Sequence, residues 1–397
     1  MQSDLPQQTR DQTLLALARK HLKRDFESLD ELDCLNISGM SNVTYAISPK
    51  LYPTEKIVIR FFESKAADFK TEASIFKLMG ERGWGPKEIE HTEQYRVEEY
   101  IDGRPLTTLE LRNPFVAKKA MELICETNYD PTLNSLIRDL KEPSQNFSTD
   151  LIYDREKGWF NRYMNEVRPV LQNTDFTGFP RAHEIFQLYE EIVRDKDAFI
   201  QEYESLFPVQ QEIVFTHNDI QENNIMAWNK NKTQFVLIDF EYSSLNFRGY
   251  DIASYLNEVS LDYTHPVHPK FRYYLEYFDQ LWEEGEVNKY LTYYAKKLFQ
   301  IKCKNEVDFQ YKDKQQEFLD QEVPILRDQV LKCMLMSDLQ WAFWSMIMMP
   351  IDDLMKCQEF YMEYGLTRLE MYVKHKEMFL GRPSKIVKNL PPSHVHD

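Results

Sequence analysis

The chain has 397 residues, 43% of them hydrophobic and 14% aromatic, with 11 glycines. This composition is typical of an ordered globular protein, and the length is sufficient for two lobes with substantial cores. The formal net charge is −16, and no stripe of lysine and arginine interrupts it. Such a surface repels a phosphate backbone, so we expect no nucleic acid among the partners.

Three further features concern the compartment. The cysteines are scattered without CxxC spacing, which favours reduced thiols over a zinc site or a disulfide framework. The first 15 residues contain acidic side chains and no continuous apolar core, unlike a signal or transit peptide. The longest apolar run, residues 341–351, is far short of the ~20 residues that span a bilayer. We therefore expect a cytoplasmic protein without stable membrane insertion.

The first hundred residues alternate between helical and extended patterns. Apolar residues recur at helical spacing over residues 14–22, which predicts an amphipathic opening helix. The β-branched and aromatic runs at 43–48 and 56–62 predict an antiparallel pair of strands. A helix is predicted over residues 68–82, and one more strand over residues 95–101.

From Leu106 onward the pattern is mostly helical and rich in aromatic residues. A single strand-turn-strand segment interrupts it between Ile213 and Tyr242. The sequence therefore predicts an α+β fold with a small β-rich N-terminal lobe, residues 1–102, and a larger, mostly helical C-terminal lobe, residues 103–397. The last ten residues, 388–397, are expected to form a frayed tail.

The interrupting segment carries the chemistry. Its sequence is IVFTHNDIQENNIMAWNKNKTQFVLIDFEY, in which Asp219 and Asn224 lie in a polar loop and Asp239 follows an apolar strand. Phosphoryl transfer needs an aspartate beside the attacking hydroxyl, then an asparagine and a second aspartate for the metal. If the flanking strands pair, the three residues come close together and offer the oxygen ligands that Mg²⁺ prefers. The alternative is that both motifs are ordinary polar strand ends, but their order and spacing favour kinase chemistry.

The segments HNDIQENNI, LIDFEYSSLNFRGYDIASYLNE and SGMSN resemble the choline/ethanolamine kinase family, whose members have a protein-kinase-like bilobal fold. The resemblance extends from about residue 37 to about residue 374. It implies that Asp219 is the catalytic aspartate and that ATP, with Mg²⁺ on Asn224 and Asp239, supplies the phosphoryl group. Gln221 and Glu241 are expected to support the metal site directly or through its ligands. His217 is expected to be structural.

The same resemblance places the nucleotide in the N-terminal lobe. Backbone groups of the SGMSN loop would hold the ATP phosphates, and Arg60 would stand where protein kinases carry a strand lysine. Glu72 is a candidate ion-pair partner for Arg60, although an exposed helix face would explain it almost as well. The ATP-binding residues predicted in this way are Gly39, Ser41, Asn42, Arg60, Glu99 and Ile101.

The acceptor pocket follows from the chemistry of choline. Its quaternary ammonium has no N–H group, so aromatic faces and a carboxylate must hold it. The resemblance assigns this role to Glu258, Tyr263, Trp341, Trp344, Tyr361 and Tyr364. On sequence alone, aromatic residues at helical spacing are more often part of the core.

The complete set of rings favours choline over ethanolamine, whose primary ammonium has three N–H donors and prefers oxygen acceptors. The predicted enzyme is therefore a choline kinase that makes phosphocholine for phosphatidylcholine synthesis, and by resemblance a homodimer. The alternatives are an ethanolamine or dual kinase and an inactive pseudokinase that binds choline or nucleotide. An aminoglycoside-type phosphotransferase is disfavoured, since its polyamine substrates need a pocket of acidic residues and the predicted pocket is aromatic. Asn223 and Glu99 depart from the glycine and glutamine that are common in the family.

Overall fold

The computed structural model describes residues 6–37, 43–62, 69–140, 158–208, 212–228, 234–283, 285–303 and 311–391. The chain divides into two compact units. The first unit comprises Met1–Pro105 and Asn224–Glu241, and the second comprises Leu106–Asn223 and Tyr242–Asp397. Among the described residues, no helix combines the length and the apolarity that crossing a bilayer requires.

The first unit contains a five-stranded antiparallel sheet with the strand order β1-β2-β3-β5-β4. The three strands that the sequence predicts are confirmed, and two further strands lie at the edges of the sheet. Strand β1 was not predicted because its sequence, LDCLN, lacks the alternation that marks a half-buried strand. Only Leu32 of this strand is buried. The strands are β1 Leu32–Asn36, β2 Val43–Pro49, β3 Ile57–Phe61, β4 Glu88–His91 and β5 Tyr95–Glu99.

The predicted opening helix is confirmed as α1, Gln7–Leu22. Its buried residues Leu14, Leu17 and Ala18 belong to the same apolar cluster as strand residues such as Ile47 and Ile59. The second predicted helix is α2, Phe69–Arg82, and it ends at Gly83, whose φ of 74° is one that glycine adopts without strain.

A second, three-stranded sheet of the first unit has the order β6-β8-β9, formed by Gly103–Pro105, Ile225–Trp228 and Phe235–Leu237. All pairings are antiparallel, and Ile225 lies opposite Leu237. Gly103 permits the close approach of β6 to β8, because a Cβ atom there would lie 2.2 Å from the carbonyl oxygen of Ala227.

The second unit is mostly helical, as predicted. The long helix α13 packs against both α10 and α15. Whereas α1 buries one face, α10 and α13 are buried on several faces. The helices are α3 Thr108–Leu111, α4 Pro114–Asn128, α5 Pro131–Leu140, α6 Trp159–Arg162, α7 Arg168–Gln172, α8 Pro180–Val193, α9 Lys196–Glu204, α10 Tyr250–Glu258, α11 Leu275–Glu283, α12 Glu286–Lys302, α13 Tyr311–Met348, α14 Leu354–Lys356 and α15 Glu363–Leu380.

Short segments of other kinds connect these helices. Tyr163–Val167 and Cys357–Met362 are π-helical, and the strands β11 Leu261–Asp262 and β12 Arg272–Tyr273 form a small ladder. Strand β7, Ile213–Thr216, precedes the predicted catalytic loop and pairs antiparallel with β10, Ser244–Phe247.

This pairing corrects one expectation. The strand before the loop pairs with residues beyond the IDFEY motif, and the strand that leads into Asp239 pairs instead with the strand after the loop. The segment therefore folds as two separate ladders. Strand β10 was missed because its sequence, SLNF, is short and of mixed polarity.

Candidate active site

The backbone of the loop that carries Asp219 is held by hydrogen bonds to the side chain of Asp251. One carboxylate oxygen of Asp251 accepts a hydrogen bond from the backbone N–H of His217 at 3.0 Å, and the other accepts from that of Asn218 at 2.8 Å. The side chain of Asn128 donates a further bond to Asp251 at 3.1 Å. Asp251 is fully buried on α10, so these donors replace the water that the carboxylate loses.

Burial raises the pKa of Asp251 to about 6, and the N–H donors of His217 and Asn218 act in the opposite direction. Every hydrogen bond that the described residues make to this carboxyl comes from an N–H donor, which is the pattern that an ionised carboxylate requires. The loop geometry therefore belongs to the ionised form of Asp251.

Asn218 gives the loop its sharp turn. Its φ is 68°, a left-handed conformation that asparagine tolerates better than most residues. Its side chain donates to the carbonyl of Tyr242 and to the hydroxyl of Ser244, both at 2.8 Å. The next N–H, that of Asp219, donates to Nδ1 of the fully buried His217 at 3.3 Å. His217 thus has the structural position that we expected, and Asp219 follows two residues whose backbones are held in place.

The predicted metal ligands Asn224 and Asp239 lie at the same end of the β8-β9 ladder in the first unit. The N–H of Ile238 donates to the carbonyl of Asn224 at 3.1 Å, which sets Asp239 one residue beyond this pairing. Asp239 has a φ of 68°. Glu241 lies two residues further along in the same unit, while Gln221 belongs to the second unit and its side-chain oxygen accepts from Asn223 at 3.1 Å.

Arg60 belongs to a buried ionic network. Its Nε donates to Glu98 at 3.0 Å, and the same carboxylate oxygen accepts from Nε of Arg96 at 2.9 Å. Burial acts to lower the pKa of Arg60, but Glu98 and Asp239 outweigh it and the pKa is raised. The guanidinium therefore stays charged and interacts electrostatically with the carboxylate of Asp239. A permanent positive charge is what a phosphate-binding group requires.

The expected Arg60–Glu72 ion pair is wrong. Glu72 forms a two-bond pair with Arg96, with distances of 2.8 and 3.1 Å. Arg96 lies opposite Arg60 in the β3-β5 register. Arg96, and not Arg60, is therefore the ion-pair partner of Glu72. The carboxylate of Glu98 accepts hydrogen bonds from both arginines. A cross-strand arginine pair with one shared carboxylate cannot be deduced from spacing along the chain.

Two other nucleotide predictions have different outcomes in the structure. The SGMSN loop, with Gly39, Ser41 and Asn42, lies outside the described residues. At the predicted hinge, the N–H of Glu99 donates to the carbonyl of Lys87 at 2.9 Å, and Ile101 is buried.

The predicted acceptor residues form one aromatic cluster in the second unit. Trp341 and Trp344 on α13 contact each other edge to face, with ring centroids 5.2 Å apart. Trp344 also contacts Tyr361 at 6.5 Å and Tyr364 at 6.0 Å. Tyr364 in turn contacts Tyr263 at 6.2 Å. All five predicted rings therefore belong to one continuous set of contacts.

Glu258, the sixth predicted residue, is already paired. Its Oε1 accepts a very short hydrogen bond from the guanidinium of Arg368, and its Oε2 accepts from the hydroxyl of Tyr263 at 2.9 Å. Glu258 and Arg368 are 3% and 1% exposed. A buried carboxylate with a cationic partner contributes less attraction to a substrate cation than the bare carboxylate that we expected.

Four residues at this site were not predicted from the sequence. Tyr242 accepts a hydrogen bond from Nε1 of Trp344 at 2.9 Å, and Trp159 contacts the rings of Tyr242 and Trp341 at 5.8 and 5.5 Å. Tyr242 directly follows the IDFE motif, and that adjacency was the available signal. Trp159 and Arg368 come from distant segments with no motif of their own.

Glu222 is the fourth. It is 1% exposed and its Oε2 has no hydrogen-bond partner, while Oε1 accepts from the side chain of Asn223 at 3.2 Å. Burial, and then the charges of Glu258, Asp262 and Asp219, raise the pKa of Glu222 to about 9. The raised pKa favours the neutral form of this carboxyl, which limits the negative charge within the predicted catalytic loop.

Two open cavities of the second unit lie away from these residues. One of about 690 Å³ is lined by residues that include Arg168, His183 and Glu190. Another of about 520 Å³ is lined by residues that include Arg112 and Tyr290. Neither has a lining residue in common with the aromatic cluster or the predicted catalytic loop.

Solved structures with the same architecture define the class of fold. Choline kinase from Cryptosporidium parvum Iowa II aligns with a TM-score of 0.65 at 23% identity, covering 93% of this chain and 96% of that chain. An ethanolamine kinase from Plasmodium vivax aligns with a TM-score of 0.57 at 17% identity, covering 92% and 89%. The predicted protein-kinase-like fold, with its small sheet-bearing unit and its helical unit, is confirmed.

The family follows from the sequence match. The profile of the choline/ethanolamine kinase family matches residues 35–373, so the chain belongs to this family, as its motifs indicated. Choline kinase alpha of Mus musculus is 28% identical over 77% of this chain and 60% of that protein. Choline/ethanolamine kinase of Homo sapiens is 27% identical over 77% of this chain and 68% of that protein.

Proposed function

We propose that the protein is a choline kinase, which transfers the γ-phosphoryl group of ATP to the hydroxyl of choline and releases phosphocholine and ADP. The observation that carries the proposal is the continuous cluster formed by all five predicted rings, Tyr263, Trp341, Trp344, Tyr361 and Tyr364. The proposal is also supported by membership of a family whose relatives bear this name.

The acceptor's cation would be held by ring faces. A cation–π contact contributes ~0.5–1 kcal/mol when exposed and ~2 kcal/mol or more when desolvated, so several rings are needed for useful affinity. Trp341, Trp344 and Tyr364 are only 4–6% exposed, which places them in the desolvated regime. Choline has no N–H donor that would demand an oxygen acceptor from this pocket.

Two charged residues are proposed to act in phosphoryl transfer itself. In the second unit, the carboxylate of Asp219 orients the choline hydroxyl and accepts its proton as the oxygen attacks the γ-phosphorus. In the first unit, the guanidinium of Arg60 binds phosphate oxygens, and Glu98 keeps it oriented.

Asn224 and Asp239 would hold Mg²⁺. They supply one amide and one carboxylate, and among the described residues no group of three His, Cys, Asp or Glu side chains offers a closed metal cage. Such a sparse donor set fits Mg²⁺, which keeps several waters and shares its shell with substrate phosphates. When bound, the ion neutralises the charge that develops on the phosphates. Gln221 and Glu241 are proposed to support these ligands.

The first experiment is an ATP- and Mg²⁺-dependent assay of the purified protein with choline and ethanolamine in parallel. We expect kcat/KM for choline to exceed that for ethanolamine by at least about tenfold, the scale of discrimination that a few kcal/mol gives. A preference for ethanolamine would retain the kinase and overturn the acceptor. Binding of choline without phosphorylation would favour a pseudokinase instead.

The cellular setting is part of the same proposal. We propose a cytoplasmic enzyme that works as a homodimer and supplies phosphocholine for phosphatidylcholine synthesis. Its partners are the small molecules choline or ethanolamine and ATP, with no nucleic acid, consistent with the net charge of −16.

A further inference from the structure

Arg368 is hydrogen-bonded to three of the predicted acceptor residues. It lies on α15, is 1% exposed, and is four residues from Tyr364. Its Nη2 donates to Glu258, to the hydroxyl of Tyr364 at 2.7 Å and to that of Tyr263 at 3.2 Å. Its Nε donates to the hydroxyl of Tyr364 at 3.0 Å. One guanidinium therefore binds the carboxylate and both tyrosine hydroxyls that flank the rings.

These bonds engage oxygen acceptors of three predicted pocket residues, Glu258, Tyr263 and Tyr364. Oε1 of Glu258 is taken by Arg368 and Oε2 by the hydroxyl of Tyr263. The two hydroxyls also lie 3.4 Å apart. A primary ammonium that enters this pocket has three N–H donors to satisfy, and each donor left unpaired on burial costs free energy. A quaternary ammonium carries no such donors.

Asp338 faces Arg368 from α13, and its acceptors are engaged too. Its Oδ1 lies 3.8 Å from Nη1 of Arg368 and accepts from the side chain of Asn257 at 2.9 Å. Its Oδ2 bonds Nδ1 of His375 at 2.9 Å. Asp338 and His375 are both fully buried. The carboxylate of Asp338 is therefore bonded within the core and offers no acceptor to a substrate.

We propose that Arg368 is the residue that makes the pocket select a fully alkylated ammonium, because it occupies the oxygen acceptors of Glu258, Tyr263 and Tyr364 that a primary ammonium would need. This inference rests on the proposed function, whose acceptor class it explains. Arg368 acts through Glu258 and the tyrosines, and is therefore a positioning residue.

The test is the ratio of affinities for choline and ethanolamine, measured by calorimetry without ATP, together with the ratio of kcat/KM. In Arg368→Met, the released carboxylate and hydroxyls become acceptors for a primary ammonium. We expect both ratios to shift towards ethanolamine by about tenfold or more, with the KM for ATP unchanged. A ratio within twofold of the wild-type value in folded protein would overturn the proposal.

A double variant separates selection from general damage. Replacing a buried ion pair by apolar residues is often tolerated, whereas removal of one partner is strongly destabilising. Glu258→Met with Arg368→Met removes the carboxylate as well and releases only the two hydroxyls, so we expect the choline preference to recover by at least about threefold relative to Arg368→Met alone. A double variant that prefers ethanolamine would contradict the proposal, and it decides the matter if the single variant does not fold.

Arg181 offers a matched control. It forms a two-bond ion pair with the fully buried Glu363 at the start of the same helix, with distances of 2.6 and 3.0 Å. Arg181→Met should lower the melting temperature without shifting either ratio. A comparable shift in Arg181→Met would show that the effect of Arg368 is only structural.

Calorimetry keeps this inference distinct from the proposed function. Wild-type protein that binds choline in preference to ethanolamine but phosphorylates neither would overturn the kinase proposal, and the affinity ratio of Arg368→Met would then decide the role of Arg368 by itself. Wild-type protein that binds ethanolamine more tightly would overturn the role of Arg368, whether or not it turns over.

Discussion

Asp219 illustrates how a single side chain acquires its role from its neighbours. It follows the buried His217 and the left-handed Asn218, whose N–H groups are both held by Asp251. The side chain itself is half-buried. A carboxylate on so constrained a backbone is suited to orient an acceptor hydroxyl, because little conformational freedom remains to be lost when the acceptor binds.

We expect Asp219→Asn to reduce kcat by about 10²–10⁴-fold, the usual contribution of a positioned general base. The dissociation constant for ATP should change little, since the carboxylate is assigned to the acceptor. Steady-state kinetics and nucleotide titration check both statements. Asp175→Asn, on an exposed turn of the same unit, is the control, and residual activity above a tenth of wild type would remove Asp219 from the catalytic role.

Trp344 has a ring contact with three predicted pocket residues and a hydrogen bond to Tyr242. Trp344→Ala should raise the KM for choline by about tenfold, through loss of a desolvated cation–π partner, and should change the KM for ATP much less. Trp344→Phe keeps a ring and should be milder. Trp282, whose ring packs on Phe379, is the control, and an equal effect of Trp282→Ala would return Trp344 to the core.

At the scale of elements, α10 and the catalytic loop act together. Strands β7 and β10 bring the loop over the start of α10, where Asp251 accepts both N–H groups of the loop. The turn is therefore held by a helix that lies more than 30 residues further along the chain. The residues next to the loop in the sequence predict the strand that precedes it. The conformation of the loop depends on this distant helix.

The raised pKa of Asp251 predicts an acid limb in the activity. As the pH falls through about 6, protonation removes an acceptor that the loop requires, and kcat/KM should fall. The raised pKa means that the folded state binds this proton more readily than the unfolded chain does, so the loss should occur without unfolding. Kinetics and circular dichroism between pH 5 and pH 8 check this, as they span the expected window.

Asp251→Asn supplies the comparison. An amide presents one oxygen where the carboxylate presents two, so this variant should be less active at pH 7.5 and should lose the limb near pH 6. An unchanged acid limb in the variant would assign that limb to another group.

At the scale of the whole molecule, the C-terminal segment is secured by one buried carboxylate. Glu202 on α9 accepts from Lys376 at 2.5 Å, Tyr372 at 2.6 Å and Ser384 at 2.7 Å. Ile386 and Val387 beyond it are buried. The segment that leads to the predicted tail at residue 388 is thus integrated into the second unit.

We expect Glu202→Ala to lower the free energy of unfolding by about 3 kcal/mol, because it leaves Lys376 buried without its partner. Burial alone would raise the pKa of Glu202, but Lys376, Tyr372 and Ser384 outweigh it and the pKa is lowered from 4.5. The stability is therefore present above pH 4.5 and is lost as the pH falls through the lowered value. Thermal unfolding at neutral and acidic pH measures this.

The exposed Glu204 on the same helix is the control. Glu204→Ala should change the unfolding free energy by less than about 0.5 kcal/mol, as is usual for surface substitutions. An equal loss in both variants would mean that Glu202 contributes no more than an exposed glutamate of the same helix, and that its buried partners add no stability.

Much of this protein could be predicted from sequence because the signals are local. The helices at 7–22 and 69–82 and the strands at 43–49, 57–61 and 95–99 follow from periodicity. The motifs around Asp219 and Asp239 gave the family, which the profile match confirms. The division into lobes at residue 102 and the roles of the individual site residues stay predictions.

Tertiary structure alone decided the partners of the charged groups. Glu72 pairs with Arg96 and not with Arg60, and Glu258 pairs with Arg368, 110 residues away in the chain. Sequence determines which side chains are present and the period in which they recur. Which buried charges meet depends on strand register and helix packing, since these set the few distances short enough to compensate for lost hydration.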